Sequence, residues 1–122
     1  MPLLSSDGAV FLASGPSPDA EAMRAHVGEA SAFLKKLSNP DRLMVCCALV
    51  GGELSVRALE DLLGIRQPGL SQQLAELREA GLIEGRKEGR QIFYRLADPR
   101  VAEFMSTMHR LFCAGPENGE AS

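Results

Sequence analysis

Apolar residues recur at helical spacing over most of this chain, with a short alternating stretch near the C-terminal third. Met23, Val27, Ala30, Leu34 and Leu37 fall at the interval that lines one face of an α-helix. Ser17 is placed to cap that helix, with Pro18 in its first position, where a missing N–H costs nothing. Asn39-Pro40 breaks the pattern, and a second helix is expected from Asp41 to about Val50, ended by Gly51-Gly52. Ser55 caps a third, with Val56, Leu59 and Leu62 or Leu63 facing inward and Gly64 at its end. A fourth helix takes Pro68 into its first turn, carries a Leu70, Leu74, Leu77 stripe, and runs to Ala80 before Gly81. Residues 82–87 and 90–96 then read as two strands, with Glu88-Gly89 the turn between them. Asp98 and Pro99 open a last helix whose stripe is Val101, Met105, Met108 and Phe112, widened by Phe104 and Leu111. Residues 1–17 and 115–122 show no period and read as tails, leaving 18–114 as one domain.

Four helices, a hairpin and a closing helix make a mainly α fold with a β-hairpin wing, a winged helix-turn-helix. In that architecture the second of two short helices, here the fourth of the chain, enters the DNA major groove. With Leu70, Leu74 and Leu77 inward, the opposite face presents Pro68, Gln72, Ala75 and Glu79, with Ser71 and Glu76 at its edges. Bases are read near the N-terminal end of such a helix, which selects Gln67, Ser71 and Gln72, flanked by Gln73. A glutamine amide can pair with both polar atoms of adenine's edge, and serine reaches base or phosphate. Small Gly69 and Ala75 allow close approach. Arg86, Lys87, Arg90 and Gln91 lie at the hairpin tip, where positive charge neutralises phosphate and sets affinity rather than sequence choice. Taken singly, each of these residues is equally at home on a solvated surface.

Charge supports the grouping. The 122-residue chain has a net charge of −3, yet from Ile65 to Arg95 it carries six basic and four acidic residues. Positive charge is thus gathered where the reading elements lie. No apolar run is long enough to span a membrane and no secretory leader is apparent, so a cytoplasmic protein with no membrane partner is expected. Three cysteines, Cys46, Cys47 and Cys113, are an odd set and do not suit a secreted disulfide framework. No Cys-x-x-Cys motif and no acid/base pair points to a thiol enzyme, and no cofactor is implied. The wide stripes of the two terminal helices exceed what one small core needs, and a homodimer through those helices is expected.

The stretch from Leu37 to Leu96 resembles the ArsR/SmtB family of small bacterial repressors. The resemblance rests on Leu37-Ser38-Asn39-Pro40-Asp41-Arg42-Leu43, Gln67-Pro68-Gly69-Leu70-Ser71-Gln72-Gln73-Leu74, Leu77-Arg78-Glu79-Ala80-Gly81-Leu82-Ile83 and Gln91-Ile92-Phe93-Tyr94-Arg95-Leu96. It implies a homodimer that binds a palindromic double-stranded operator and leaves it when an inducer acts. The family's Cys-x-Cys metal motif is missing from the third helix, and Asp98, Glu103 and His109 do not reproduce the set used on the last helix, so no metal site is implied. Arg42-Leu43-Met44-Val45-Cys46-Cys47 and His109-Arg110-Leu111-Phe112-Cys113 instead resemble the two cysteine segments of the sulfide- and persulfide-responsive branch. That resemblance implies Cys47 and Cys113 as a redox-sensing pair and a persulfide or polysulfide as inducer. A thiolate attacks the reactive sulfur and the second thiol resolves the product. Helical angles do not separate Cys46 from Cys47, since both flank the Leu43/Val50 direction. Helical spacing places His109 and Arg110 beside Cys113. A thiophilic metal or metalloid held by Cys47, Cys113 and His109, and a general thiol-oxidation sensor, are the competing readings. Three small core cysteines and a protein-interaction module without DNA affinity are the others.

Overall fold

The computed structural model describes residues 18–113. Helices α1 (Pro18–Leu37) and α2 (Pro40–Leu49) are followed by a two-residue strand β1 (Leu54–Ser55). Helices α3 (Val56–Leu63) and α4 (Gly69–Glu79), the hairpin β2 (Ile83–Glu88) and β3 (Gln91–Leu96), and helix α5 (Pro99–Phe112) complete the order. The Ser17 cap and both tails lie outside the described residues.

The helix starts follow the capping residues. Asn39 accepts the Arg42 N–H at 3.0 Å and Ser55 accepts the Ala58 N–H at 3.0 Å, each satisfying a donor that the first turn leaves open. Asp98 does the same for Arg100 at 2.9 Å, and Pro99 follows it in the first turn. The Arg100 guanidinium also pairs with Asp98 and holds its carboxyl below the usual carboxylate range.

Among the described residues, those up to Lys35 and those from Lys36 onward form two separate contact units. In the first, α1 leaves Met23, Val27 and Leu34 of the expected stripe exposed. The second holds the core. Leu70, Leu74 and Leu77 of α4 are all buried, as their spacing demands, together with Leu37, Val45, Leu49, Leu59, Leu82, Ile83, Val101 and Met105. Helix α2 packs against both α4 and α5. On α3 only Leu59 is fully buried, and Leu62 faces solvent. The α5 stripe is buried at its start and exposed at its end, at Leu111 and Phe112.

Two local features differ from the sequence expectation. The sheet has three antiparallel strands in the order β1-β3-β2, because Leu54 and Ser55 pair with Tyr94 and Phe93. The hairpin turn is Gly89-Arg90 rather than Glu88-Gly89, since Glu88 already pairs with Gln91. Gly89 takes φ +63°, a left-handed conformation that glycine adopts without steric cost.

Candidate DNA interface and thiol pair

The N-terminal end of α4 is built by its own side chains. Pro68, which follows a cis peptide bond, gives no side-chain cap to the helix. Gln67 supplies one instead: its Oε1 accepts the Ser71 N–H at 3.0 Å and the Ser71 hydroxyl at 2.7 Å. Gln67 and Ser71 are thus exposed and bonded to each other, while Gln72 is exposed beside them. Gln73 turns toward the body, where its Oε1 accepts from the Arg42 guanidinium at 2.8 Å. Arg42 also donates to the Lys36 carbonyl at 2.5 Å, so the start of α2 grips both the end of α1 and the middle of α4. Lys36 pairs with Glu76 at 2.6 Å and keeps that carboxyl below its usual range.

The wing's cations fall into two groups. The Arg86 guanidinium is held by both Glu53 oxygens at 2.8 Å, by Glu88 at 2.5 Å, and over the Phe93 ring at 4.7 Å. These carboxylates raise the Arg86 pKa, and the same contact lowers that of Glu53. Arg95 is likewise paired with Glu84. Lys87, Arg90 and Gln91 are exposed. Between α3, the outer face of α4 and β3 lies a cleft of about 950 Å³ whose lining includes Arg57, Ser71, Ala75, Arg78, Arg90 and Gln91. Two of its cations, Arg57 and Arg78, were not selected from the sequence. Arg78 could have been, because it stands two helical turns beyond Ser71 on one face. Arg57 could not, because only the tertiary fold brings α3 beside the wing.

The three thiols are free, and their surroundings differ. Cys46 is fully buried, and burial, aided by the neighbouring Cys47, pushes its pKa up to about 12 against a weaker opposing effect of Arg42. Cys47 and Cys113 are exposed. Cys47 shares a small cleft of about 240 Å³ with Val50, Met105, Ser106 and His109. Cys113 follows His109 by one helical turn, its N–H donating to the His109 carbonyl at 2.8 Å. His109 therefore stands near both exposed thiols, where helical spacing alone had placed it beside Cys113. Among the described residues no three His, Cys, Asp or Glu side chains converge as a metal site would require.

Residues 37–86 match the family described as helix-turn-helix domain, HTH_20. The Biofilm growth-associated repressor of Agrobacterium fabrum is 50% identical over 97 residues, covering 80% of this chain and 83% of that protein. The chain belongs to the ArsR/SmtB-type winged-helix regulators. Its fold is similar to the crystal structure of the repressor BigR from Xylella fastidiosa, with a TM-score of 0.76 at 47% identity over 78% of this chain and 97% of that one. It is also similar to reduced HlyU from Vibrio cholerae, with a TM-score of 0.71 at 39% identity over 76% of this chain and 98% of that one. These relatives are regulators of transcription by name, repressors and an activator. The protein is a DNA-binding regulator of transcription. No described helix is long and apolar enough to cross a membrane.

Proposed function

We propose that this protein is a homodimeric repressor that senses persulfide or polysulfide through Cys47 and Cys113, whose cross-linking releases operator DNA. The observation that carries the sensing role is the division among the thiols. Cys46 is buried and held as the neutral thiol, while Cys47 and Cys113 are free and exposed on two helices that pack together. The reactive species is the thiolate of an accessible cysteine, which makes Cys47 the member of the adjacent pair suited to the task. Helix α5 ends at Phe112, so Cys113 sits on its terminal turn, where its N–H donates to the His109 carbonyl. A disulfide needs Cα atoms within about 4.4–6.8 Å, so cross-linking requires Cys47 and Cys113 to meet within that span. The repressor role is supported by the names of the relatives from Agrobacterium fabrum and Xylella fastidiosa. A dimer is supported by the exposed Met23, Val27 and Leu34 on α1 and Leu111 and Phe112 on α5, apolar surface that a second copy would cover.

In the complex, Gln72 and the mutually bonded Gln67 and Ser71 face the major groove. Arg57, Arg78, Lys87 and Arg90 neutralise phosphates along the cleft and wing, with Gln91 beside them. Arg86, tied to Glu53 and Glu88, and Gln73, tied to Arg42, hold the reading elements in place rather than meeting DNA. The test is a gel-shift titration on the chain's own promoter with intact-mass analysis. The reduced protein should bind, persulfide should link Cys47 to Cys113 and release DNA, and Cys47→Ser or Cys113→Ser should abolish release. Retained release in both variants would defeat the sensing assignment.

The chemistry of a metal-responsive repressor finds less support. It would require Cys47, Cys113 and His109 to converge, and the described residues form no such three-ligand group. A stoichiometric complex of the reduced protein with a thiophilic metal would favour it.

A further inference from the structure

Tyr94 is 6% exposed, yet its hydroxyl has no hydrogen-bond partner among the described residues. A phenol withdrawn from bulk water costs free energy unless something accepts its proton. No fully buried polar side-chain atom among the described residues is left without a partner, so the hydroxyl keeps an opening. Tyr94 lines the cleft of about 950 Å³ between α3, α4 and β3, and the hydroxyl opens there. The ring is held from the other strand of the hairpin. A Cβ at Gly85 would lie 2.8 Å from it, so the glycine of β2 lets the ring pack directly on the backbone. Around the same cleft stand Arg57, Arg78 and Arg90, none ion-paired among the described residues, against two carboxylates, Glu60 and Asp61.

We propose that the Tyr94 hydroxyl donates a hydrogen bond to one phosphate of the operator backbone seated in this cleft. The proposal rests on the placement of α4 in the major groove given above. With α4 in the major groove and the wing over the neighbouring minor groove, the strand of backbone that separates the two grooves passes between them. In this fold that passage is the cleft between α4 and β3. Tyrosine hydroxyls are among the donors that meet phosphate oxygens, and a bond to an anionic oxygen is stronger than one between neutral groups. The three arginines attract the backbone by charge. The phenol, fixed by its packing, adds a single directional donor that sets where along the cleft a phosphate stops, and so the register of α4 on the bases. A hydroxyl without an internal partner is then a binding group and not part of what holds the fold together.

The experiment titrates the wild type and Tyr94→Phe, as full chains, on the chain's own promoter by anisotropy at several salt concentrations, with calorimetry of each free protein. Tyr94→Phe should bind about tenfold more weakly at every salt concentration, since each half-site loses one hydrogen bond. Its slope of log affinity against log salt should stay that of the wild type, because a neutral hydroxyl displaces no counterion. Its Tm should not fall, because the hydroxyl bonds nothing within the protein. Wild-type affinity in Tyr94→Phe overturns the proposal. So does a lowered Tm, which makes the hydroxyl a structural group, and so does a reduced slope, which means that the arginines have moved. Methylphosphonates placed singly along the promoter backbone locate the contact. One position per half-site should weaken the wild type about threefold more than it weakens Tyr94→Phe, and the absence of any such position also overturns the proposal. Inorganic phosphate that raised the Tm of the wild type but not of Tyr94→Phe would assign the site to a free anion instead. Failure of the underlying placement looks different: Gln72→Ala then binds the promoter as tightly as the wild type, whatever Tyr94→Phe does.

Discussion

If the two neighbouring cysteines differ as their surroundings require, brief alkylation at pH 7.5 should label Cys47 and Cys113 and spare Cys46. The Cys46 thiol, pushed up to about 12, has a thiolate fraction of order 10⁻⁴ to 10⁻⁵ at that pH. A free thiol with a pKa near 8.5 has about one-tenth. The difference is on the order of 10³-fold before the closed packing around the sulfur is considered. The assay is a short iodoacetamide pulse, denaturing quench and digestion. Trypsin cutting after Arg42 and Arg57 leaves both residues in one peptide, so fragmentation must localise the label. Labelling of Cys46 within tenfold of Cys47 would refute the assignment of the exposed thiol. The same burial gives a stability signature with a definite sign. The folded-state pKa of about 12 lies above the reference value of 9.0, so the unfolded chain releases this proton first. The contribution is complete below about pH 9 and is lost as pH rises toward 12, at up to about 1.4 kcal/mol per pH unit. Comparing urea unfolding of the wild type with Cys46→Ala between those pH values isolates it, and parallel curves would show that Cys46 ionises freely.

Other consequences are separable. Arg57→Ala and Arg90→Ala should each lower the slope of log affinity against log salt by about 0.9 per half-site, whereas Arg86→Ala should change it by less than half as much, as measured by anisotropy titrations at several salt concentrations. Gly85→Ala would put a Cβ at 2.8 Å from the Tyr94 ring, and calorimetry should find the protein destabilised by about 1–3 kcal/mol; an unchanged Tm would mean the wing adapts freely. Leu74→Ala should cost about 2–5 kcal/mol in urea unfolding. Leu62→Ala, at a position 64% exposed, should stay within about 0.5 kcal/mol.

What the sequence disclosed depended on how local each cause is. Caps formed by Ser55 and Asp98, and the Leu70/Leu74/Leu77 stripe, are decided within a turn or two of helix and were legible, whereas Asn39 reads in the sequence only as a break and its capping bond comes from the structure. β1 was not, because two residues carry no period and Leu54 becomes a strand only when β3 is alongside. The turn shifted by one residue because the Glu88–Gln91 pairing, a cross-strand matter, decides where the ladder closes. Helical angles could not choose between Cys46 and Cys47, whose difference arises from packing remote in sequence. The same holds for the wing: Arg86 and Arg90 look alike in a string of letters, and Arg86 is set apart largely by Glu53, 33 residues away.

For a bond between α2 and α5 to release DNA, its effect must reach the reading helix. Hundredfold weaker DNA binding needs about 2.8 kcal/mol, or about 1.4 kcal/mol from each protomer of a dimer. A cross-link supplies that only through a contact that differs between the two states. Arg42 is placed to serve as such a contact. It lies on α2 with Cys47, and its guanidinium bonds Gln73 on α4 at 2.8 Å. A part-buried hydrogen bond to a charged group contributes about 1.5–3 kcal/mol, enough to carry each protomer's share. Gln73→Leu keeps the helix and removes the acceptor. It should therefore narrow the ratio of reduced to cross-linked affinity well below that of the wild type, while cross-linking itself proceeds at the same rate. An undiminished ratio in that variant would place the coupling elsewhere, in the packing of α2 on α4 as a whole.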